Sequence, residues 1–362
     1  MARIAIAGAG VLGRLLAWRL ASEGHSVSVF DPADGPQPPT PGQVAAVNPR
    51  PHAAGFTAAG MLSPLAELDG AEPAVARLGW RSLPLWQAIG RQLAEGGAPG
   101  LVRTEGSLLL AHGSDRGNAQ RTLARLNGVP EAPAPQPLDA ATLRALEPAL
   151  ASGLLAWLLP GEGQLLPRET LLALAEQAGG VQWHWNTLVD TVDAGRLRLI
   201  GGDTAAADLA IDTRGLGARP EVPLRGVRGE VLWLHAPGVR LRRPVRLLHP
   251  RHRVYLVPRP GDRIVVGASE IESEDRSPVS LRSAVELMSA AHSVLPELAE
   301  ARIDHLETNL RPARADHLPS IEHRPGLLRI NGLFRHGWMV APAVVQDALA
   351  AAGLASEGQS PP

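Results

Sequence analysis

Three glycines and an aspartate near the start of the chain have the types and spacing to hold a phosphorylated ligand. Gly8, Gly10 and Gly13 fit G-x-G-x-x-G, with an apolar run from Arg3 to Ala7 before them and a helical pattern from Arg14 to Glu23 after. Gly8 permits a tight turn. Gly10 lets the backbone approach a pyrophosphate where a side chain would collide, and Gly13 lets the helix sit close to the strand. Phosphates would lie on the helix N-terminus beside Val11 and Leu12, where free N–H groups and the dipole favour negative charge. Asp31, 18 positions after Gly13, ends a second strand-like run from Ser26 to Phe30. Its carboxylate suits the ribose hydroxyls of an adenosine and repels a 2′-phosphate. The pattern predicts a bound dinucleotide and leaves NAD and FAD both open. A glycine-rich junction without a ligand is the plain alternative.

The elements that must position these residues follow from periodicity. Pro32 to Phe56 is rich in proline and reads as a surface excursion, followed by a small-residue turn, Thr57-Ala58-Ala59-Gly60-Met61. A helix is expected from about Glu72 to Ala94, kinked or split at Pro84, and another from Arg116 to Asn127 before a linker from Pro130 to Pro137. Asp139 caps a short helix, and Pro167 opens one that reaches Gln177. Val181 to Trp185, Leu188 to Val192, Leu197 to Ile200 and Leu209 to Thr213 read as strands, as do Glu230 to His235, Ile303 to Leu310 and Leu327 to Asn331. Val254 to Val257 and Arg263 to Val266 flank Pro260-Gly261-Asp262 as a hairpin. Leu281 to Val294 and Ala341 to Ala352 read as helices. Strand–helix units at both ends around a sheet-rich middle predict a discontinuous cofactor domain with a second domain inserted.

Composition narrows the chemistry. The 362 residues contain 45% hydrophobic and 20% charged residues, as in a globular protein, and 35 basic against 36 acidic groups leave a net charge of -1, which calls for neither nucleic acid nor an anionic membrane. There is no lysine, so Schiff-base chemistry on lysine is excluded. Cys is also absent, which removes disulfides, thiolate metal sites, cysteine nucleophiles and the commonest thioether link to a flavin. A cytoplasmic setting fits. No apolar run approaches the roughly 20 residues of a membrane helix. His249, His252, His317, His323 and His336 lack metal-ligand spacing and are expected to be surface or hydrogen-bonded histidines, with no metal.

The far end of the chain carries a resemblance. Thr308-Asn309-Leu310-Arg311-Pro312 and Leu333-Phe334-Arg335-His336-Gly337-Trp338-Met339-Val340-Ala341-Pro342-Ala343 resemble the C-terminal pattern of the D-amino acid oxidase / glycine oxidase superfamily. Arg253 to Arg259 with Arg263 to Gly267 looks like its substrate-side hairpin, and Thr57 to Leu62 like its second flavin contact. The pieces cover nearly the whole chain in order and are most similar to the glycine oxidases of thiamine thiazole synthesis.

The resemblance implies an α/β fold, α+β overall: a Rossmann-like FAD-binding domain (1–76, 159–222 and 311–362) with an inserted antiparallel-sheet substrate domain (77–158 and 223–310). It implies non-covalent FAD, oxidation of a small amino acid or amine to the imine, and reoxidation by O2 with release of peroxide. A homo-oligomer is also suggested by it. Arg311 matches the carboxylate-binding arginine, Tyr255 its partner, and Arg335 a position near substrate and flavin. Val189, Gly215, His336, Gly337, Trp338 and Met339, with the Thr57–Met61 turn, match flavin contacts. An arginine fork suits a substrate carboxylate because it makes two parallel hydrogen bonds, and a neutral amine can release hydride without a protein base at Cα. The chain departs from the pattern in the long Pro-rich stretch, at Arg253 and Leu333, and at Thr213-Arg214. Rival readings are an oxidase of D-amino acids, sarcosine or a modified-tRNA side chain, a flavin-binding accessory protein with little turnover, and an NAD-dependent dehydrogenase.

Overall fold

The β-α-β unit at the start of the chain forms a parallel crossover. In the computed structural model, which describes residues 1–38, 52–68, 70, 72–126, 133–248 and 253–354, β1 (Arg3–Ala7) pairs in parallel with β2 (Ser26–Phe30). Helix α1 (Val11–Ser22) connects them. It begins earlier than the expected Arg14, because the Arg14 N–H already donates to the Gly10 carbonyl at 3.0 Å. Gly13 therefore lies inside the helix despite its poor intrinsic preference. A Cβ there would overlap the Gly8 carbonyl oxygen, so only glycine allows this approach. Gly8 itself has φ +98°, a conformation that other residues rarely adopt.

Numbered along the chain, six strands form the first sheet: β19 (Ser320–Arg324), β20 (Leu327–Asn331), β13 (Leu209–Asp212), β1, β2 and β9 (Gln182–His184). All its neighbours are parallel except β19 and β20. β1 lies at its centre with four of five residues buried, as a strand covered on both faces requires. One face packs against α1 and α8 (Gly337–Ala351), where Ile4, Ile6, Leu16, Leu20, Val344 and Leu349 share a core. α3 (Pro73–Glu95) and α6 (Pro167–Glu176) extend that layer. Ala5, Ala7 and Phe30 pack on the other side with the small antiparallel sheet of β10 (Val189–Asp193), β11 (Arg196–Leu199) and β12 (Thr204–Ala206).

The second large sheet has eight strands in the order β18 (Arg302–Ala313), β14 (Arg225–His235), β17 (Arg263–Gly267), β16 (Arg253–Arg259), β15 (Val245–Leu248), β5 (Ser107–Ala111), β7 (Leu155–Leu159) and β6 (Gln136–Leu138). Every pairing is antiparallel except β15 with β5. α7 (Leu281–Val294) covers one face through Leu287, Ala291 and Val294, packed on Leu232, Leu256 and Val266. On the other, α2 (Pro64–Glu67) and α4 (Arg116–Leu126) bury Leu65, Ala119 and Leu126. α5 (Ala140–Leu146) is capped by Asp139, which accepts from the Thr142 N–H at 2.7 Å. A small sheet of β3 (Met61–Leu62), β8 (Gly163–Leu165) and β4 (Val102–Arg103) completes the fold. Among the described residues, no helix is long and apolar enough to cross a membrane.

Three elements that contain prolines differ in extent from the sequence expectation. Pro84 does not split its helix: α3 runs unbroken for 23 residues, with Leu83 and Trp86 buried on either side of the proline. The expected linker from 130 to 137 ends in strand β6, where Pro137 is tolerated because β6 is an edge strand. The last helix starts at Gly337, four residues before the expected Ala341, with Pro342 inside it. Pro342 has no N–H for the Trp338 carbonyl, and the Trp86 indole N–H donates to that carbonyl instead, at 2.6 Å. The expected excursion after Asp31 lies partly outside the described residues.

The Gly13 contact gives a stability prediction. Gly13→Ala is expected to lower unfolding free energy by about 3 kcal/mol or more, because the added methyl meets backbone rather than a movable side chain. Denaturant titration of Gly13→Ala beside the parent protein measures it, and equal midpoints would contradict the close approach.

Candidate active site

A cavity of about 850 Å³ is lined by residues from both large sheets. It brings together every expected site residue except Gly13, whose place is the helix–strand contact. Gly8, Gly10, Val11, Leu12, Asp31, Val189 and Gly215 line it around the start of α1, and Tyr255, Arg311, Arg335 and His336 line it on the side of the antiparallel sheet. Thr57 to Met61 and Gly337 to Met339 also line it.

Gly10 shows what the first region is shaped for. A Cβ on Gly10 would meet nothing nearer than the Ala53 Cβ at 3.6 Å. Protein packing therefore does not demand glycine here; the space left free belongs to the cavity. Gly10 makes no side-chain cap, and the first turn of α1 holds no acidic residue, so the helix N–H groups are available to an anion. Asp31 is held in place by the Ala9 N–H at 2.6 Å and the Ala33 N–H at 2.8 Å. Arg14 fixes the turn from behind: its guanidinium donates to the carbonyls of Ala9, Leu171 and Pro36. Burial lowers its pKa to about 10, against the pull of Asp31.

The small-residue turn is also pinned. Arg259, buried, donates to the Ala59 carbonyl and to Gln164 Oε1. Thr57 Oγ1 accepts from Asn309 Nδ2 at 3.1 Å, which ties the turn to β18 two residues before Arg311.

Arg311 and Tyr255 occupy space that two glycines leave open. A Cβ at Gly229 would overlap the Arg311 guanidinium, and one at Gly267 would come within 2.6 Å of the Tyr255 hydroxyl. Arg311 Nη1 donates to the carbonyls of Ser269 at 3.0 Å and Arg228 at 3.2 Å. Among the described residues it forms no ion pair within 4.0 Å, although burial lowers its pKa and so disfavours an uncompensated charge. Burial raises the pKa of Tyr255, so the phenol keeps its proton at neutral pH.

Arg335 is placed differently. Its fork lies between two carboxylates, Glu67 Oε2 at 3.0 Å and Glu270 Oε2 at 2.9 Å. Glu67 also binds Arg246 and lies 3.3 Å from His336 Nδ1. Burial alone would raise the Glu67 carboxyl, but Arg246, Arg335 and His336 hold it far below the usual range.

His336 is neither on the surface nor hydrogen-bonded at Nδ1, contrary to expectation. Burial lowers its pKa to about 4, so it is neutral where α8 begins. Of the other histidines, His317 stacks on Phe334 and meets Arg225, His323 is exposed, and His249 and His252 lie outside the described residues. Glu67, Arg246, Arg259, Glu270 and Asn309 were not singled out in the sequence. Asn309, two positions before Arg311, and Arg259, at the end of the hairpin strand, lay in segments that carried a local signal.

The sequence pattern of the family described as "DAO: FAD dependent oxidoreductase" matches residues 3–348. The chain belongs to this family of FAD-dependent oxidoreductases. A Rhizobium etli protein named as a candidate thiamine biosynthesis oxidoreductase, ThiO, is 37% identical over 359 residues, covering 99% of this chain and 98% of that protein. The crystal structure of glycine oxidase from Geobacillus kaustophilus superposes with a TM-score of 0.80 at 26% identity, covering 99% and 96% of the two chains. That of an iminodiacetate oxidase from Chelativorans sp. BNC1 gives 0.80 at 25%, covering 98% and 96%. As an FAD-dependent oxidoreductase, the chain has a donor set that fits its cofactor. The Gly10 opening and the uncapped start of α1 suit the pyrophosphate, and Asp31 suits the ribose. The uncapped start of α8, also without an acidic residue in its first turn, suits an electron-rich ring edge.

Two predictions follow from this geometry. Gly10→Val should fold, because its side chain enters open space, yet purify without flavin; a yellow Gly10→Val protein contradicts the cradle. His336 binds its proton more weakly folded than unfolded, so stability is full above the unfolded pKa near 6.5 and falls as pH drops toward about 4. His52, also lowered by burial, acts with the same sign. Thermal unfolding of His336→Asn between pH 7 and 5 should therefore show a flatter pH dependence than the parent, and equal slopes would contradict a buried neutral imidazole.

Proposed function

We propose that this FAD-dependent oxidoreductase oxidises glycine or a similarly small amino acid or amine to its imine, with release of hydrogen peroxide. The observation that carries the reading is Arg311, a guanidinium that lines the cavity and, among the described residues, donates to two backbone carbonyls and faces no carboxylate within ion-pair distance. A charge left uncompensated at a half-buried site is strongly suited to an anionic ligand.

Held at the starts of α1 and α8 and by Asp31, FAD would supply the acceptor for the substrate Cα hydride and the route of its electrons to O2. The protein's part is to bind and orient. Arg311 grips the carboxylate through its free nitrogens, while its Nη1 stays fixed to Ser269 and Arg228. Tyr255, still protonated, supplies a further donor to the same carboxylate. Arg335, already held by two glutamates, acts by positioning the wall and the start of α8 rather than by gripping substrate. No side chain is required to remove the Cα proton, because the neutral amine drives hydride departure.

The division into an FAD-binding domain and an inserted substrate domain belongs to this proposal, as do the cytoplasmic setting and a homo-oligomeric state. The similarity to ThiO over nearly its whole length supports a physiological role in supplying dehydroglycine for the thiazole of thiamine. Membership of the family sets aside the NAD-dependent reading.

The test is a visible spectrum followed by peroxide release with glycine, sarcosine and several D-amino acids. Arg311→Ala should keep its flavin and lose about 100- to 1000-fold in kcat/KM, mostly through KM, because a charged hydrogen-bonded pair is broken. Unchanged kinetics in that variant would remove Arg311 from the site, and a yellow protein that yields no peroxide with any amine would refute the activity.

A further inference from the structure

The charges around Arg311 bear on which amino acids the site accepts. Three guanidinium groups gather on this wall, Arg246, Arg311 and Arg335, against two carboxylates, Glu67 and Glu270. Burial keeps His336 neutral. Three positive and two negative charges leave one positive charge. Glu67 is engaged by Arg246 and Arg335, so its charge is answered within the protein.

Glu270 is the part of this balance that faces the cavity. Its Oε2 accepts from Arg335 at 2.9 Å while 44% of the side chain stays exposed. Its backbone has little freedom to move away. The Ser269 N–H donates to the Glu230 carbonyl at 3.2 Å, and the Ser269 carbonyl accepts from Arg311 itself. On the other side, Ile271 exchanges two backbone hydrogen bonds with Arg228, at 2.9 and 3.0 Å. Glu270 is thus one residue from the group that orients Arg311, and the two side chains are close enough for each charge to act on the other.

We propose that Glu270 restricts the substrate to amino acids whose sole anionic group is the α-carboxylate. It engages Arg335, so that on this wall Arg311 is the cation without an ion-pair partner among the described residues, and its own charge repels a second carboxylate carried on the amine or side chain. Arg276 and Arg282 also line the cavity but are exposed on its outer part, with Glu286 beside them. Glu270 is partly exposed as well, but it is one of the charges that act most strongly on Arg311, so it acts on an anion held there at closer range than these arginines do. Coulomb's law at a separation of about 6 Å and an effective dielectric of about 40 gives roughly a tenfold discrimination. The inference rests on the reading of the cavity as an amino-acid site.

A binding test separates the two. Methoxyacetate and diglycolate are the oxygen analogues of sarcosine and iminodiacetate, and carry one and two carboxylates. Neither has an amine to oxidise. Their Kd values on the flavin-loaded protein are read from the shift of the flavin absorption bands. The parent protein should bind methoxyacetate about tenfold or more tightly than diglycolate. Glu270→Asp should preserve that ratio, and Glu270→Gln should lower it by about tenfold. A merely structural role would weaken both ligands alike and leave the ratio unmoved. Equal Kd values in the parent, no response to methoxyacetate, or an unchanged ratio in Glu270→Gln would each overturn the proposal. The parent ratio decides even if one variant loses its flavin. Peroxide assays are judged apart: absence of turnover with every amine would remove the catalytic reading, while the Kd ratio would still decide the role of Glu270.

Discussion

A buried carboxylate holds the reactive end of this molecule together. Glu67, at the end of a one-turn helix, answers Arg246 from the antiparallel sheet and Arg335 from the turn before the last helix, with His336 in contact. These groups come from three distant parts of the chain. Leaving any one of them uncompensated in so dry a place would be strongly unfavourable, so they fix one another's positions. The same closure explains why Arg311 is distinctive. It shares the wall with two other arginines but not their partners, and it is kept in position by backbone carbonyls that cannot neutralise it.

Two helices begin at one cavity with no side chain over their N–H groups. In α1 the exposed end is made possible by glycines that keep side chains away from the turn. In α8 it depends on chain packing: Phe334 adopts φ +50° and stacks on His317, and Pro342 leaves a carbonyl that Trp86 satisfies. The two positive ends create a region suited to an elongated molecule with negative charge at one end and an electron-accepting ring at the other.

Much of the first helix end was legible in the sequence because its determinants are local. Gly8, Gly10, Gly13 and Asp31 lie within one crossover, and the strands at Ser26 to Phe30 and Leu327 to Asn331 and the helix at Leu281 to Val294 have the bounds that periodicity predicts. Arg311 and Tyr255 stood out through a family resemblance, not through spacing. Glu67 and Glu270 did not stand out, because their meaning lies in partners: Arg246 is 179 residues from Glu67, and Arg335 is 65 from Glu270. No local pattern encodes such a pairing. The prolines misled for a related reason. Proline is a strong local signal for interruption, yet Pro84 and Pro342 lie inside helices and Pro137 in an edge strand, and the carbonyl left by Pro342 accepts from the Trp86 indole instead.

The first sheet draws its central strand from the beginning of the chain and β20 from near the far end. During synthesis, β1 and α1 emerge from the ribosome long before β20 and α8, which supply a further strand of the same sheet, beyond β13, and the covering helix. The nascent β-α-β unit must therefore wait with its apolar face unsealed, a state that invites chaperone binding and exposes the chain to proteases. The first sheet closes over its motif only when the last strand and helix are available to it.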